Sequence, residues 1–193
     1  MTGNRGMLAV FAVVALAHVA VPVGMIARRE ATLRQGRSYK FRTAPVDPAD
    51  AFRGRYVWLN FEQNHARWTG EMQPIPRKQA FATVEEGPDG FAVIRRVSSQ
   101  PPKSGDYVTA TQTYGGWGTN SAEVYFQLPF DRYYVEEKKA PAAERAYSEH
   151  LSRRGQTNHN TYAVVRIKDG DAVMENVFID GQPIAGFLHQ APK

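Results

Sequence analysis

The stretch that decides the architecture is MLAVFAVVALAHVAVPVGMIA at residues 7–27, the one long apolar run in this chain of 193 residues. No charged side chain interrupts the run, and Arg28 and Arg29 follow it at once. At about 1.5 Å per residue, a helix of this length matches a bilayer hydrocarbon core of roughly 30 Å. The run therefore predicts a single membrane-spanning helix that anchors the rest of the chain.

A cleaved secretory signal is the alternative interpretation of this segment. Arg5 would supply its basic start, residues 7–14 its apolar part and residues 15–17 its small-residue cleavage site. Cleavage there would leave residues 18–26, which are still mostly apolar, at the new N-terminus. An uncleaved anchor accounts for more of the sequence.

Helical character is expected to continue past the span and to end at Gly36. Residues 28–35 are mostly good helix formers and include three arginines, and glycine readily takes the left-handed conformation that ends many helices. We term residues 28–36 the basic collar. The predicted organisation is an anchor with its collar at residues 1–36 and a single β-rich domain at residues 37–193.

The positive charge of the chain is concentrated beside the predicted span. The net charge is +5, but seven basic residues and one acidic residue lie at or before Arg42, which leaves 17 basic and 18 acidic residues after it. Nucleic-acid recognition needs a basic face on the folded domain, and this domain is nearly neutral. We therefore expect the basic collar to contact lipid headgroups and the domain not to bind nucleic acid.

The side of the membrane is set by weaker signals. The arginines of the collar would keep the domain in the cytoplasm under the positive-inside tendency. The short N-terminal tail, with Arg5 and the free amine, instead resembles a signal anchor, and long domains translocate largely regardless of charge. We expect an extracytoplasmic domain. The absence of cysteine fits either compartment and excludes disulfides, thiolate metal sites and a cysteine nucleophile.

Short β-rich runs separated by turn sequences fill most of the chain after Gly36. Nine such runs occur, at residues 38–43, 55–62, 79–85, 90–97, 106–112, 122–128, 133–136, 162–168 and 172–179. One helix is expected from Pro141 to a stop at Gly155, with His150 packed on its apolar face rather than catalytic. The predicted fold class is mainly β (α+β): a transmembrane helix followed by one antiparallel β-sandwich or barrel-like domain with one packed helix.

Residues 44–61 read APVDPADAFRGRYVWLNF. Within this segment, Gly54, Tyr56 and Leu59 match the spacing G-x-Y-x-x-L, with Arg55 between the first two and Phe61 two residues after the leucine. The segment resembles the signature of GDYXXLXY proteins, a family of bacterial membrane-anchored proteins. Arg55 replaces the aspartate of that signature, and Phe61 replaces its final tyrosine.

The resemblance extends beyond the motif. A PVDP lead-in at residues 45–48, RYYVEE at residues 132–137 and VVRI followed by an Asp-Gly turn occur in similar order and spacing. The resemblance implies a bacterial inner-membrane anchor and a β-rich domain. It implies no reaction, no cofactor and no role for the missing aspartate.

The motif has a structural and a functional interpretation. Structurally, a turn containing Gly54 leads into a strand. The two faces of that strand would be Tyr56, Trp58 and Asn60 on one side, and Val57, Leu59 and Phe61 on the other. Functionally, the candidate binding surface would consist of Arg53, Arg55, Tyr56 and Trp58, together with Tyr114 and Trp117 of a glycine-rich loop. Such rings stack on sugars or anchor protein partners. We favour the structural interpretation, with Trp58 in core or cross-strand packing.

Residue types and spacing give catalysis little support. Ser38 and Lys40 lack the sequence surroundings of a Ser/Lys peptidase, and the five histidines form no H-x-x-x-H pair. We predict no metal and no cofactor.

The predicted function is a non-catalytic, membrane-anchored extracytoplasmic domain for envelope assembly or partner recognition, with a membrane protein as candidate partner. The alternative is an envelope hydrolase that uses the carboxylates of Asp47, Asp50 and Glu62.

Overall fold

One long helix opens the chain. The computed structural model describes residues 3–44, 56–71, 74–115, 123–134 and 161–187. Helix α1 covers Gly3–Gln35 and continues through Pro22. Its segment Gly6–Gln35 is long and apolar enough to cross a membrane, and none of its apolar window is buried in the protein. The predicted spanning segment is therefore a continuous helix with its apolar surface exposed.

Twelve strands and a one-turn helix follow in the described part of the chain. They are β1 Arg37–Ala44, β2 Tyr56–Trp58, β3 Asn60–Phe61, β4 His65–Trp68, β5 Gln79–Glu86, β6 Ala92–Ser98, β7 Asp106–Gly115, β8 Glu123–Gln127, β9 Arg132–Tyr134, β10 Thr161–Lys168, β11 Asp171–Ile179, β12 Gln182–Pro183 and α2 Ile184–Phe187. A five-stranded sheet has the order β12-β11-β10-β1-β3, a closed barrel has the order β4-β6-β5-β7-β8, and β2 and β9 form a two-stranded ribbon.

The predicted mainly β fold class is confirmed, and each of the nine predicted strands is present within three residues of its expected bounds. Two details differ. The single strand expected at residues 55–62 is split into β2 and β3, and the expected purely antiparallel pairing is wrong where β4 runs parallel to β6 and closes the barrel. Strand β4 was not predicted, because four residues give too short a pattern. The helix expected after Pro141, with His150, lies outside the described residues.

The sheet and the barrel share one hydrophobic core. Buried side chains such as Phe41 and Val165 of the sheet belong to the same cluster as Val97 and Val108 of the barrel. Strands β1 and β10 of the sheet contact β6 and β7 of the barrel. Neither layer is therefore a separate folding unit within the described residues.

The turn between β10 and β11 is fixed directly to the barrel. The Thr109 N–H donates a hydrogen bond to the Gly170 carbonyl at 3.0 Å. Gly170 has a φ of 84°, and a Cβ at this position would lie 2.6 Å from the ring of Tyr107. Position 170 thus needs glycine for two reasons, its backbone conformation and its close approach to an aromatic ring.

The last turns of α1 pack against the five-stranded sheet. Thr32 is only 2% exposed, and the helix contacts β10 and β11. Lys168 Nζ donates to Gln35 Oε1 at 2.5 Å, and Arg166 Nη1 donates to the Gly36 carbonyl at 3.3 Å. The helix therefore continues into the domain without an intervening linker.

Gly36 ends α1 as predicted, but for a different reason. Its φ is not positive, so the expected left-handed cap is wrong, and its N–H donates to the Thr32 carbonyl at 2.9 Å as in a regular helix. A Cβ here would lie 2.4 Å from the Thr32 oxygen and 3.0 Å from the Ile167 oxygen. Glycine is favoured here because a Cβ would clash with the last turn of α1 itself and would also press against the backbone of strand β10.

We predict that Gly36→Ala destabilises the protein by about 1–3 kcal/mol, as is typical of inserting an atom into a filled space. Gly186→Ala is the matched control, because a Cβ there has no neighbour within 4 Å. Thermal midpoints of the full chain in detergent micelles measure both effects. Equal midpoints for the two variants would contradict the close approach at Gly36.

An exposed ion pair connects β1 to the turn between β5 and β6. Arg42 Nη2 donates to Asp89 Oδ2 at 3.0 Å, and its guanidinium lies 3.7 Å from the centroid of the Phe91 ring. The Phe91 N–H also donates to Asp89 Oδ1 at 3.2 Å. The hydrogen bond from Arg42, followed by that from the Phe91 backbone, lowers the pKa of Asp89 below its ordinary value.

We predict that Arg42→Gln raises the pKa of Asp89 back toward its ordinary value, because the substitution removes the largest cause of the shift. Since the folded-state pKa is lowered, the pair stabilises the protein above the ordinary aspartate pKa of about 3.9. That contribution is lost as the pH falls through the folded-state pKa. A carboxyl-carbon NMR titration measures the shift. Arg95→Gln, on the same hairpin, should leave Asp89 unchanged, and an unmoved Asp89 in Arg42→Gln would refute the assignment.

Candidate functional site

The residues around Leu59 form a crossing between the ribbon and the five-stranded sheet. In the ribbon, β2 pairs with β9 and places Trp58 opposite Arg132. The Leu59 N–H then donates to the Asp131 carbonyl at 2.8 Å, and the next two residues, as β3, pair with β1. The chain changes partner strands at Leu59, which is why the predicted single strand is split there.

Leu59 and Phe61 both point into the core. They are 1% and 5% exposed. The ring centroid of Phe61 lies 6.0 Å from that of Phe41 and 5.2 Å from that of Phe130. Trp58 is half-buried and Asn60 is exposed. The predicted alternation of faces is thus confirmed over these four consecutive positions.

A small cleft of about 150 Å³ opens beside these residues. We term it the motif cleft and define it by five of the residues that line it, Trp58, Asn60, Asn64, Gln127 and Asp131. Gln127 Nε2 donates to Asp131 Oδ2 at 2.6 Å. The Asn64 carbonyl accepts the Phe126 N–H at 2.9 Å, which ties the cleft to barrel strand β8. The cleft therefore presents one indole ring surrounded by hydrogen-bonding groups.

The ribbon carries three large side chains next to this cleft. We term Trp58, Arg132 and Tyr134 the ribbon face, because Trp58 lies directly opposite Arg132 and Tyr134 follows two residues later on the same side. The Arg132 guanidinium lies 5.0 Å from the centroid of the Trp58 ring. A cation–π contact of this kind contributes about 0.5–1 kcal/mol at an exposed site. Trp58 thus packs across the strands, as expected.

Two groups beside the ribbon face, the Asp131 carboxylate and the Tyr133 hydroxyl, are affected by a nearby cation and by burial, respectively. Arg132 also lies 3.6 Å from an Asp131 carboxylate oxygen, so the carboxylate of the motif cleft faces a cation. Burial raises the pKa of Tyr133, whose hydroxyl donates to Asn176 Oδ1 at 3.4 Å. This phenol stays protonated at neutral pH and acts as a hydrogen-bond donor. The arrangement suits recognition of polar and aromatic groups.

Several predicted site residues lie outside the described residues, so their roles stay predictions. They are Arg53, Gly54, Arg55 and Trp117 from the motif and the binding surface, and Asp47 and Asp50 from the hydrolase alternative. Tyr56 belongs to β2, opposite Tyr134, and Tyr114 belongs to β7, opposite Tyr125. The structure therefore does not bring Tyr114 and Trp58 onto the same strand pair.

Of the three carboxylates in the hydrolase alternative, Glu62 is the one within the described residues, and it lies apart from the motif cleft. Glu62 follows β3, is half-buried, and its N–H donates to the Arg42 carbonyl at 3.2 Å. It does not line the motif cleft. Among the residues whose positions are described, no three His, Asp or Glu side chains gather as a metal site.

Comparison with known proteins identifies the family to which the motif belongs. A family model described as GDYXXLXY protein matches residues 18–177. The chain belongs to the GDYXXLXY family. No curated protein and no solved structure matches it. The resemblance inferred from residues 44–61 is thus confirmed, and the match reaches from the apolar helix to the end region of the five-stranded sheet.

In this GDYXXLXY protein, the final tyrosine of the family name is Phe61. Its ring lies among the aromatic side chains of Phe41 and Phe130, where a phenol would need a buried hydrogen-bond partner. Gln127, Asp131 and Arg132 were not predicted as site residues. The Pro-Phe-Asp sequence at residues 129–131, directly before a predicted strand, is a turn signal that was not used in predicting the site and that could have drawn attention to these residues.

We predict that Phe61→Ala destabilises this GDYXXLXY protein by about 3–5 kcal/mol, the usual cost of deleting a buried aromatic ring. Asn60→Ala is the neighbouring control and should stay within about 0.5 kcal/mol, because its side chain is exposed. Denaturation midpoints of the full chain in micelles compare the two. Similar losses of stability at both positions would contradict the finding that one side of β3 is buried and the other is exposed.

Proposed function

We propose that this GDYXXLXY protein is a single-pass protein of the bacterial inner membrane whose extracytoplasmic domain recognises a partner in envelope assembly, without catalysis. The observation that carries this proposal is the ribbon face beside the motif cleft. Tryptophan, tyrosine and arginine are the residue types most enriched at the energetic centres of protein interfaces. A candidate partner is therefore another membrane protein that inserts an aromatic or polar group there.

The anchoring part of the proposal is supported by the exposure of α1. The side chains of residues 6–30 are exposed along the helix, and large apolar ones such as Met7, Phe11 and Leu16 are more than 60% exposed. Apolar surface on this scale is unfavourable in water and is stable in hydrocarbon. Retention of the helix is supported further by its packed end, since Thr32 is buried against the domain.

The extracytoplasmic side is supported by the sequence. The part after the span is long enough to translocate largely regardless of flanking charge. The hydrolase alternative has less support, because Glu62 lies apart from the motif cleft.

The experiment uses the absence of cysteine in the natural chain. Asn60→Cys places one thiol at the rim of the motif cleft, and a benzophenone maleimide on it cross-links neighbours in membranes. We predict one discrete adduct with a membrane protein. Tyr134→Ser should lower its yield about fivefold or more, as removal of an interface centre does.

Tyr125→Ser is the matched control, because Tyr125 is an exposed tyrosine of the barrel that packs against His65 instead. Its adduct should be unchanged. No adduct, or equal loss in both variants, would contradict recognition by the ribbon face. The same thiol tests orientation: labelling by a membrane-impermeant maleimide in intact spheroplasts is expected, and labelling only after lysis would place the domain in the cytoplasm.

A further inference from the structure

A second cleft lies where α1 leaves the predicted span. Two hollows of about 410 and 350 Å³ adjoin there and share Arg29, Pro129, Ala172 and Val173 as walls. The smaller hollow also contacts Met25, which belongs to the apolar run, and Arg28. We term the two hollows together the juxtamembrane cleft. Their volumes lie in the range of small-molecule binding sites.

The geometry of the helix explains the position of this cleft. Met25, Arg28, Arg29 and Thr32 follow the spacing i, i+3, i+4 and i+7, so they share one face of α1. The last of these is buried against the domain, whereas the first is 63% exposed and lies within the apolar run. The helix and the domain therefore diverge toward the membrane, and the juxtamembrane cleft is the wedge between them.

The two arginines of the wedge differ in their partners. Arg28 forms an ion pair with Asp171 at the start of β11. Arg29 lines both hollows, and within the described part of the chain it has no ion-pair partner. The walls that the two hollows share with Arg29 are apolar, whereas the larger hollow also has Asp131 and Arg132 among its walls and the smaller has Asp171. A guanidinium beside such shared apolar walls favours an anion that also has apolar surface. A phosphate matches its planar fork of donors.

The geometry points to the juxtamembrane cleft as a binding site for one anionic phospholipid of the surrounding bilayer. The lipid phosphate lies against Arg29, and the first carbons of its chains follow Met25 along the helix. A free soluble phosphate fits less well, because the walls next to Arg29 that both hollows share are the apolar Pro129, Ala172 and Val173, and because Met25 of the apolar run lines the smaller hollow. This inference rests on the proposed membrane anchoring. Arg132 and Tyr134 of the ribbon face also line the larger hollow, but Arg29, the residue that the test changes, does not belong to that face.

The test is native mass spectrometry of the full chain released from micelles that contain equal amounts of phosphatidylglycerol and phosphatidylcholine. The natural chain should retain one phosphatidylglycerol in preference to phosphatidylcholine. Arg29→Gln should lower that retention about fivefold, the usual effect of one arginine near an anionic lipid surface. Arg29→Lys should fall between the two, because it keeps the charge and loses the bidentate geometry.

Arg34→Gln is the matched control. It removes one charge from the same helix, but Arg34 pairs with Glu30 at 2.6 Å and does not line the cleft. Equal loss of lipid in Arg29→Gln and Arg34→Gln would overturn the site in favour of diffuse attraction by the basic collar. Displacement of the lipid by millimolar glycerol phosphate would overturn the bilayer as its source.

Membrane fractionation separates this inference from the anchoring on which it rests. Both glutamine variants should stay in the carbonate-washed membrane fraction, because the apolar helix is unchanged. Release of the natural chain by carbonate would refute anchoring itself. Retention of both variants together with unchanged lipid binding in Arg29→Gln would refute the lipid site alone.

Discussion

The backbone hydrogen bond from Thr109 to Gly170 joins the main parts of this structure. It holds the β10–β11 turn against the barrel, and the strands that leave this turn form the middle of the five-stranded sheet. The same two strands contact the end of α1. Helix, sheet and barrel therefore meet at one hairpin, which fixes the height of the domain above the predicted span. The juxtamembrane cleft depends on that arrangement, because residues on both sides of the Thr109–Gly170 hydrogen bond line its smaller hollow.

The family motif is chiefly a structural element in the part that the structure describes. Leu59 and Phe61 occupy named positions and are buried, whereas Trp58 and Asn60 occupy positions that the family name leaves open and line the motif cleft. The buried positions secure the crossing between the ribbon and the sheet. The open positions are then available for recognition, because their side chains can differ without disturbing the core.

The arginines of the basic collar differ in what they contact: some pair with acidic groups of the protein, and another is available to lipid headgroups. Arg28 forms an ion pair with Asp171 of the domain, so part of the positive excess stabilises the junction rather than the membrane contact. Such exposed pairs contribute about 0–1 kcal/mol each, and their value lies mainly in orienting the helix. Arg29, on the face toward the juxtamembrane cleft, is the side chain of the collar best placed for a lipid phosphate.

The sequence by itself determined the spanning helix, the nine main strands and the family, because apolar length, alternation and motif spacing are local properties that a linear reading preserves. It also determined that Leu59 and Phe61 share one face of their strand, but the structure decided that this face is the buried one. Only the tertiary structure decided the parallel β4–β6 pair, the change of partner at Leu59 and the residues that complete each cleft. Asp131 contacts Leu59, and Asp171 contacts Arg28, although several strands separate each pair along the chain. Such pairings depend on which distant strands become neighbours, and no local pattern specifies that choice. Gly36 combines both kinds of information. Its place at the helix end and its close approach to the Thr32 oxygen are local, whereas the second crowding group, the backbone of Ile167, comes from 131 residues further along the chain.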